Sequence, residues 1–388
     1  MAKQHVAEQE TLGEAMNRTE LFFEKNGRNM AYIFLGLLVL AALIFGYRAL
    51  IVAPRATKAA ERIAEAQYRF EEQNPDYQLA LEGDAWREVT MGEGLTPLVP
   101  FDDDVLLKMD YTMPTLSFKD RGAATLVAHM KTIGVKSCVQ DSSGNAGNAV
   151  AAYAARAGIR CEIFVPEGTS PSKIRMIESH GAVANVVPGT RDHCADVCRA
   201  KVKDEGAYYA NHVYNPFFYE GMKCYVYEIF EELRRMPANL VIPVGNGTLF
   251  IGAVKALEHL EASGAIERFP QIIALQSERC DPLARAVEAG SDEPVRVTPE
   301  PTMAEGIAIG VPMRGHEILD MARRHGIRFV TAPEEKILEA RRDLALRGIY
   351  CEHTTASNLA AYRRYCELYG PTPDTVITMC GAGIKSDH

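Results

Sequence analysis

The 388-residue sequence has no block of lysine and arginine, and its formal net charge is −9. Nucleic-acid binding depends on a basic face that neutralises phosphates. The acidic balance therefore argues against nucleic acid as a partner. With 47% hydrophobic and 24% charged residues, the composition is that of an ordinary globular enzyme with a large core.

The nine cysteines lack the paired C-x2-C spacing of zinc sites, and all of them follow residue 137. The only close cluster in the sequence is His193, Cys194 and Cys198, on a segment with a helical pattern. We therefore expect no metal site. Scattered single cysteines fit a reducing cytosol better than a disulfide-bonded secreted protein.

Charged residues are almost absent from residues 30–52, where Arg48 is the only one. An apolar run of about 20 residues can cross a bilayer as a helix, and Tyr32 and Tyr47 stand where aromatic residues meet the interface. The mostly polar segment at 1–29 is unlike the short start of a signal peptide. The sequence predicts one transmembrane helix over 30–52, and basic residues on both sides leave its orientation open.

Two short motifs point to a cofactor-binding lysine: S-F-K-D-R-G at Ser117–Gly122 and S-S-G-N-A-G-N at Ser142–Asn148. A lysine amine can form a Schiff base with an aldehyde cofactor and carry the α-proton of an amino acid. Small residues at a glycine turn before a helix offer N–H groups to a carboxylate. Although Lys-Asp-Arg alone is more typical of a solvated helix start, the pair of motifs predicts pyridoxal phosphate on Lys119.

A third motif, V-I-P-V-G-N-G-T-L at Val241–Leu249, has the pattern of an apolar strand and a glycine turn before a helix over 250–260. Many such turns only connect two elements. Where the turn precedes a helix, however, its N–H groups and the positive helix end favour an anion. Its place after the first two motifs predicts a site for the cofactor phosphate.

Apolar strands alternate with amphipathic helices between residues 86 and 388. This pattern predicts an α/β fold with parallel sheets covered by helices, in which ligands bind beyond the carboxyl ends of the strands. The predicted strands lie at 137–140, 161–165, 183–187, 240–244, 272–276 and 376–379, and the predicted helices include 148–157, 219–234 and 335–347.

The order of these motifs resembles the fold-type II pyridoxal-phosphate enzymes and, within them, the threonine synthases. The resemblance implies a two-lobed catalytic domain over 86–388 with the cofactor between the lobes. Further motifs that carry it are G-E-G-L-T-P-L at Gly92–Leu98, A-A-Y-A-A-R-A-G at Ala151–Gly158, V-P-E-G at Val165–Gly168, N-P-F-F-Y-E-G at Asn215–Gly221 and M-C-G-A-G-I-K at Met379–Lys385.

The resemblance also implies a role for each site residue. Lys119 would hold the cofactor covalently and act in catalysis, and Asn145 would hydrogen-bond its phenolic oxygen. Cys380 stands in place of the family's serine or threonine opposite the pyridine nitrogen; a thiol donates more weakly but leaves that nitrogen unprotonated. The substrate would contact Ser143, Gly144, Asn145, Ala146 and Lys173, and the cofactor phosphate would contact Gly245, Asn246, Gly247 and Thr248.

One departure bears on the substrate. Threonine synthases carry an arginine in N-P-x-R-x-E-G that helps to bind the phosphate of phosphohomoserine, and Phe218 stands in its place here. Lys173, with Arg175 nearby, is a candidate replacement charge, and Phe218 is otherwise a core aromatic residue. The motif order favours a threonine synthase-like lyase. A serine or threonine dehydratase, or another β-eliminating or β-replacing enzyme, remains an alternative.

The N-terminal part resembles the membrane anchor of tetratricopeptide-repeat proteins from Bacteroidetes-type bacteria, on E-Q-E-T-L-G-E-A at Glu8–Ala15 and A-P-R at Ala53–Arg55. Residues 53–85 then read as a helical linker with one repeat-like fragment, too short for a stable stack. The expectation is a single-pass, membrane-associated protein with a cytoplasmic catalytic domain, and a homodimer is allowed. A chimera near Gly83, or a membrane-tethered scaffold with an inactive catalytic domain, is the remaining alternative.

Overall fold

The computed structural model describes residues 85–385, apart from the side chain of Asp192. The polar segment predicted at 1–29, the transmembrane helix predicted at 30–52 and the linker predicted at 53–85, except its last residue, lie outside the described residues. Within residues 85–385, no helix combines the length and the apolar character needed to cross a bilayer.

Two sheets organise the part of the chain from residue 85 to residue 385. The larger lobe is built on a six-stranded sheet with the order β1-β2-β10-β7-β8-β9, in which only the β1–β2 pair is antiparallel. The strands are β1 (Leu98–Asp102), β2 (Val105–Lys108), β7 (Asn239–Pro243), β8 (Gln271–Ser277), β9 (Arg328–Ala332) and β10 (Thr375–Thr378).

The smaller lobe is built on a four-stranded parallel sheet with the order β5-β4-β3-β6. Its strands are β3 (Ser137–Gln140), β4 (Arg160–Pro166), β5 (Val183–Val187) and β6 (Tyr208–Tyr209). Parallel strands need crossover connections, and helices supply them here. The carboxyl ends of β3 and β7 therefore each lead into a loop and a helix.

The described helices are α1 (Ala85–Val89), α2 (Lys119–Thr132), α3 (Asn145–Ala157), α4 (Pro171–Ser179), α5 (Arg191–Glu205), α6 (Pro216–Met222), α7 (Cys224–Leu233), α8 (Thr248–Ala262), α9 (Pro282–Glu288), α10 (Gly315–Arg324), α11 (Glu334–Leu346) and α12 (His353–Tyr369). Short 3₁₀ turns lie at Asp110–Thr112, Glu305–Ile307 and Gly383–Lys385.

These elements confirm the predicted α/β fold with parallel sheets, and each predicted strand lies within one or two residues of an observed one. One helix differs from its prediction. The segment predicted as a single helix over 219–234 is divided between α6 and α7 at Lys223. The Lys223 N–H donates to Glu220 O, three residues back, so the helical hydrogen-bond pattern tightens there.

The cysteines of the His193 cluster belong to the core of the smaller lobe. Cys194 and Cys198 on α5 are buried in a hydrophobic cluster that includes Phe164 and Val187. Burial raises the pKa of the Cys194 thiol to about 11 and that of Cys198 to about 12. Both side chains therefore behave as small apolar residues.

Candidate active site

A cavity of about 370 Å³ receives the loops that follow β3 and β7. It lies at the carboxyl ends of parallel strands, where open α/β sheets bind their ligands. Every residue that the sequence predicts for the site lines it: Lys119, Ser143, Gly144, Asn145, Ala146, Lys173, Gly245, Asn246, Gly247, Thr248 and Cys380. Residues up to 261 positions apart in the chain, Lys119 and Cys380, thus meet at one surface.

Lys119 is the first residue of α2, and its Nζ donates a hydrogen bond to Thr248 Oγ1 at 3.0 Å. Burial lowers the pKa of this amine to about 8, although the nearby Cys380 and Glu352 side chains act in the opposite direction. An amine with a lowered pKa has a larger neutral fraction near neutral pH, and the neutral form is the nucleophile.

The two residues after Lys119 are buried rather than solvated. Asp120 accepts hydrogen bonds from the backbone N–H of Thr115 at 2.7 Å and from the Thr115 hydroxyl. Burial raises the pKa of Asp120 to about 6, and the Thr115 hydrogen bonds oppose that rise. These contacts hold the first turn of α2, and with it Lys119, in a fixed place.

Arg121 joins a buried cluster of four charged side chains beneath the lysine. It donates to Asp110 at 2.8 Å and to both carboxylate oxygens of Glu228 at 2.6 and 2.7 Å, while Lys108 Nζ lies 2.8 Å from Glu228. Two cations meet two carboxylates, so the cluster has no net charge. It connects β2, α2 and α7, which explains why the motif requires an arginine at this position.

The loop after β3 is shaped by close backbone contact. A Cβ atom at Gly147 would lie 1.8 Å from Ser142 O, so only glycine fits there. Gly144 caps the start of α3, which begins at Asn145, three residues earlier than predicted. The first N–H groups of a helix lack partners within the helix, and here they border the cavity.

The loop after β7 has the same design. Gly247 has a φ of +80°, and a Cβ atom there would lie 2.4 Å from Ile318 Cδ1. Only glycine adopts this conformation without strain. The loop then enters α8 at Thr248, so a second helix N-terminus and a hydroxyl border the cavity.

These features fit pyridoxal phosphate. The cavity brings an amine of lowered pKa beside two helix N-termini that suit anions, namely the cofactor phosphate and a substrate carboxylate. The family described as "Pyridoxal-phosphate dependent enzyme" matches residues 89–381. The chain belongs to this family of pyridoxal-phosphate-dependent enzymes.

Threonine synthases are among the relatives of this pyridoxal-phosphate-dependent enzyme. It is 31% identical over 316 residues to that of Mycobacterium leprae, covering 78% of this chain and 85% of the relative. It is 29% identical over 290 residues to that of Methanocaldococcus jannaschii, covering 72% and 71%.

Solved structures of the same fold include a threonine deaminase from T.th. bacteria. It has a TM-score of 0.66 and 25% identity, and the comparison covers 80% of this chain and 97% of that one. Maize serine racemase has a TM-score of 0.63 and 18% identity, with coverage of 77% and 93%, and shows the fold alone.

Cys380 lies in the cavity wall of the pyridoxal-phosphate-dependent enzyme, and its Sγ is 3.4 Å from Asn358 Nδ2. Burial raises the pKa of the thiol far above its usual value, and the Asn358 hydrogen bond and Lys119 only partly oppose that rise. The thiol therefore stays protonated and uncharged at neutral pH.

Glu352 is a site residue that the sequence did not indicate. Its carboxylate accepts a hydrogen bond from Asn145 Nδ2 at 3.2 Å. Burial raises the pKa of Glu352, while Lys385 and the Asn145 hydrogen bond act to lower it. A single acid before α12 belongs to no recognisable motif, so only the fold reveals this contact. Arg191, His212, Glu305 and Lys385 also line the cavity and were likewise missed.

Lys173 and Phe218 have different positions relative to this cavity. Lys173 lines it, with its Nζ 3.1 Å from Glu305 across the cleft, whereas Arg175 is exposed and does not line it. Phe218 is 0% exposed and packs where a Cβ at Gly122 would lie 2.4 Å from its ring. Phe218 is therefore a packing residue between α2 and α6.

Proposed function

We propose that this enzyme is a threonine synthase-like lyase that converts phosphohomoserine to threonine and phosphate by elimination and replacement. The observation that carries the proposal is the placement of Lys119 Nζ, 3.0 Å from Thr248 Oγ1, in the cavity bordered by both glycine loops. The choice of reaction is supported by about 30% identity to threonine synthases over most of the chain.

Each loop has a distinct part in this proposal. The N–H groups at Gly245, Asn246 and Gly247 and the hydroxyl of Thr248 bind the cofactor phosphate. The loop from Ser143 to Ala146 binds the α-carboxylate of the substrate. Each anion then meets the positive end of a helix, where charge-assisted hydrogen bonds are strongest.

When bound, pyridoxal phosphate supplies the electron sink that weakens the Cα–H bond of an amino acid. Lys119 Nζ takes the α-proton and returns a proton later in the reaction. The buried position of this amine gives it the lowered pKa that a base working near neutral pH needs.

Three side chains complete the cofactor site. Asn145 Nδ2, which Glu352 holds through one hydrogen, keeps its other hydrogen for the phenolic oxygen. Cys380 presents an uncharged donor to the ring nitrogen, because burial keeps its thiol protonated. A carboxylate in that place would instead favour a protonated ring nitrogen.

A serine or threonine dehydratase is the second candidate. It is favoured by the buried position of Phe218, which leaves the site without the arginine of the threonine synthase motif, and by the structural similarity to a threonine deaminase. A dehydratase substrate carries no phosphate and needs no such arginine.

Product analysis of the purified holoenzyme separates the two reactions. Release of inorganic phosphate from phosphohomoserine, with threonine formed in equal amount, supports the first. Ammonia and a keto acid from threonine or serine, with phosphohomoserine inert, would replace it by the second.

We also propose that residues 30–52 anchor the enzyme to a membrane through one helix, with the catalytic domain on the cytoplasmic side. The support is the length and apolar character of the run. Fractionation of cells, followed by protease treatment of intact membrane vesicles, tests both the anchor and its orientation.

A further inference from the structure

Positive charge in the cavity exceeds negative charge. Four cations line it, Lys119, Lys173, Arg191 and Lys385, against the carboxylates of Glu305 and Glu352. Three of the cations have work elsewhere. Lys119 holds the cofactor in the proposed function, Lys173 pairs with Glu305, and Lys385 donates to Thr115 O at 2.6 Å.

Arg191 differs from the other three cations. Among the side chains that the structure describes, it makes no hydrogen bond or ion pair, and it is exposed to the cavity from the first turn of α5. A guanidinium presents a planar fork of donors that matches a phosphate better than an ammonium does. Its fork is thus available to an anionic ligand.

The charge of Arg191 acts on the side of the cavity where Phe218 is buried. His212 connects the two, because its ring meets that of Phe218 edge-on with 5.7 Å between centroids. Burial, and then the charges of Lys119 and Arg191, lower the pKa of His212 well below its usual value. His212 is therefore neutral and does not compete with Arg191 for an anion.

We propose that Arg191 binds the phosphate at the far end of the substrate side chain, in place of the arginine that Phe218 replaces. The proposal rests on the proposed function, because it takes phosphohomoserine as the substrate. It assigns the missing charge to a different element, the start of α5 rather than α6, and makes Arg191 a specificity-determining residue.

The test measures binding to the full-length holoenzyme, followed by the visible absorbance of the cofactor. The probe is 2-amino-5-phosphonopentanoate, in which a methylene replaces the ester oxygen of phosphohomoserine, and norvaline is the same chain without the phosphonate. The proteins are wild type, Arg191→Gln, Arg191→Lys and, as a matched control, Arg175→Gln, which removes an exposed arginine outside the cavity.

We expect Arg191→Gln to raise the Kd for the phosphonate about 10- to 100-fold, as for loss of a charge-assisted bidentate contact, and to leave the Kd for norvaline unchanged. Arg191→Lys should give an intermediate value, and Arg175→Gln should match wild type. Equal phosphonate affinity in wild type and Arg191→Gln overturns the proposal, as does a wild type that binds both probes equally.

Failure of the proposed function looks different. In that case the wild type releases no phosphate from phosphohomoserine, whatever its binding preference. A preference for the phosphonate that depends on Arg191 would then still identify Arg191 as the residue that recognises a distal anion.

Discussion

Lys119 owes its chemistry to the residues around it. Lys119, Lys223 and Lys385 all have a pKa lowered to about 8, in each case mainly by burial. Lys223 lies outside the cavity and pairs with Glu220, and Lys385 is held by Thr115 O. Lys119 alone of the three combines a lowered pKa with a place between both glycine loops.

The lowered pKa of Lys119 predicts how covalent uptake of the cofactor depends on pH. The amine is protonated below its pKa of about 8 and neutral above it. The rate of pyridoxal phosphate uptake by the apo form should therefore rise about tenfold per pH unit below 8 and level off by about pH 9. Stopped-flow absorbance checks this, and a rate that still rises tenfold per unit from pH 9 to 10 would contradict a lowered pKa.

The cofactor-site residues could be predicted because they belong to motifs with a fixed order, such as Lys119 in S-F-K-D-R-G. Arg191 and Glu352 could not, because a single charged residue at the start of a helix has many structural explanations. The burial of Asp120 and Arg121 was also beyond the sequence, since their partners Asp110 and Glu228 are distant in the chain.

Glycines let the loops and helices of this enzyme approach each other closely. A Cβ atom at Gly221 would lie 2.1 Å from Arg121 O, so α2 and α6 meet backbone to backbone beside Phe218. The glycines of the motifs thus serve packing as well as ligand binding. Sequence periodicity found the strands and most helices, but the division at Lys223 depends on this packing and has no sequence signal.

The loop after β3 provides a matched pair of substitutions. Gly147→Ala puts a methyl group 1.8 Å from Ser142 O, whereas Gly144→Ala meets nothing within 4 Å. Overpacking of this kind costs about 1 to 3 kcal/mol. Thermal unfolding of the apo forms should show a lower Tm for Gly147→Ala and a nearly unchanged Tm for Gly144→Ala. Equal Tm values for the two variants would show that the loop yields without cost.

The buried charge cluster makes a second prediction about stability. Glu228→Gln leaves Lys108 and Arg121 with one carboxylate, and breaking a buried pair typically costs about 3 to 5 kcal/mol. Glu231→Gln, an exposed change on the same helix, should cost under about 0.5 kcal/mol. Urea unfolding at pH 7 compares the two, and similar midpoints would contradict the account.

The same cluster sets a pH window. Burial alone raises the pKa of Glu228, but Arg121 and Lys108 lower it to about 2. Because the folded pKa is below the ordinary value of 4.5, the stabilisation is present above pH 4.5 and is lost as pH falls toward 2. The difference between wild type and Glu228→Gln should therefore shrink over that range.

The molecule as a whole joins two parts with different predicted surroundings. All residues that line the described cavity lie between Phe118 and Lys385, and the family match covers 89–381. The predicted transmembrane helix at 30–52 has no part in that lining. Composition and motifs alone could separate the two parts, but they could not fix the substrate, because the charges that select it come from four segments of the chain.

Truncation tests this division. A chain that starts at Gly83 should remain in solution without detergent, bind pyridoxal phosphate and have the kcat of the full-length enzyme, because it keeps every residue of the cavity. Turnover of phosphohomoserine by both proteins in detergent is the measurement. Loss of cofactor binding on truncation would show that the N-terminal segment belongs to the catalytic fold.

The central claim is that Lys119 holds pyridoxal phosphate in this cavity. Borohydride reduction of the holoenzyme fixes the cofactor to its lysine, and peptide mass mapping then identifies that residue. The account predicts a pyridoxyl group on the peptide that contains Lys119, and none on that position in the Lys119→Ala variant. A label on Lys385, which lines the same cavity with a similarly lowered pKa, or on no lysine at all, would contradict it.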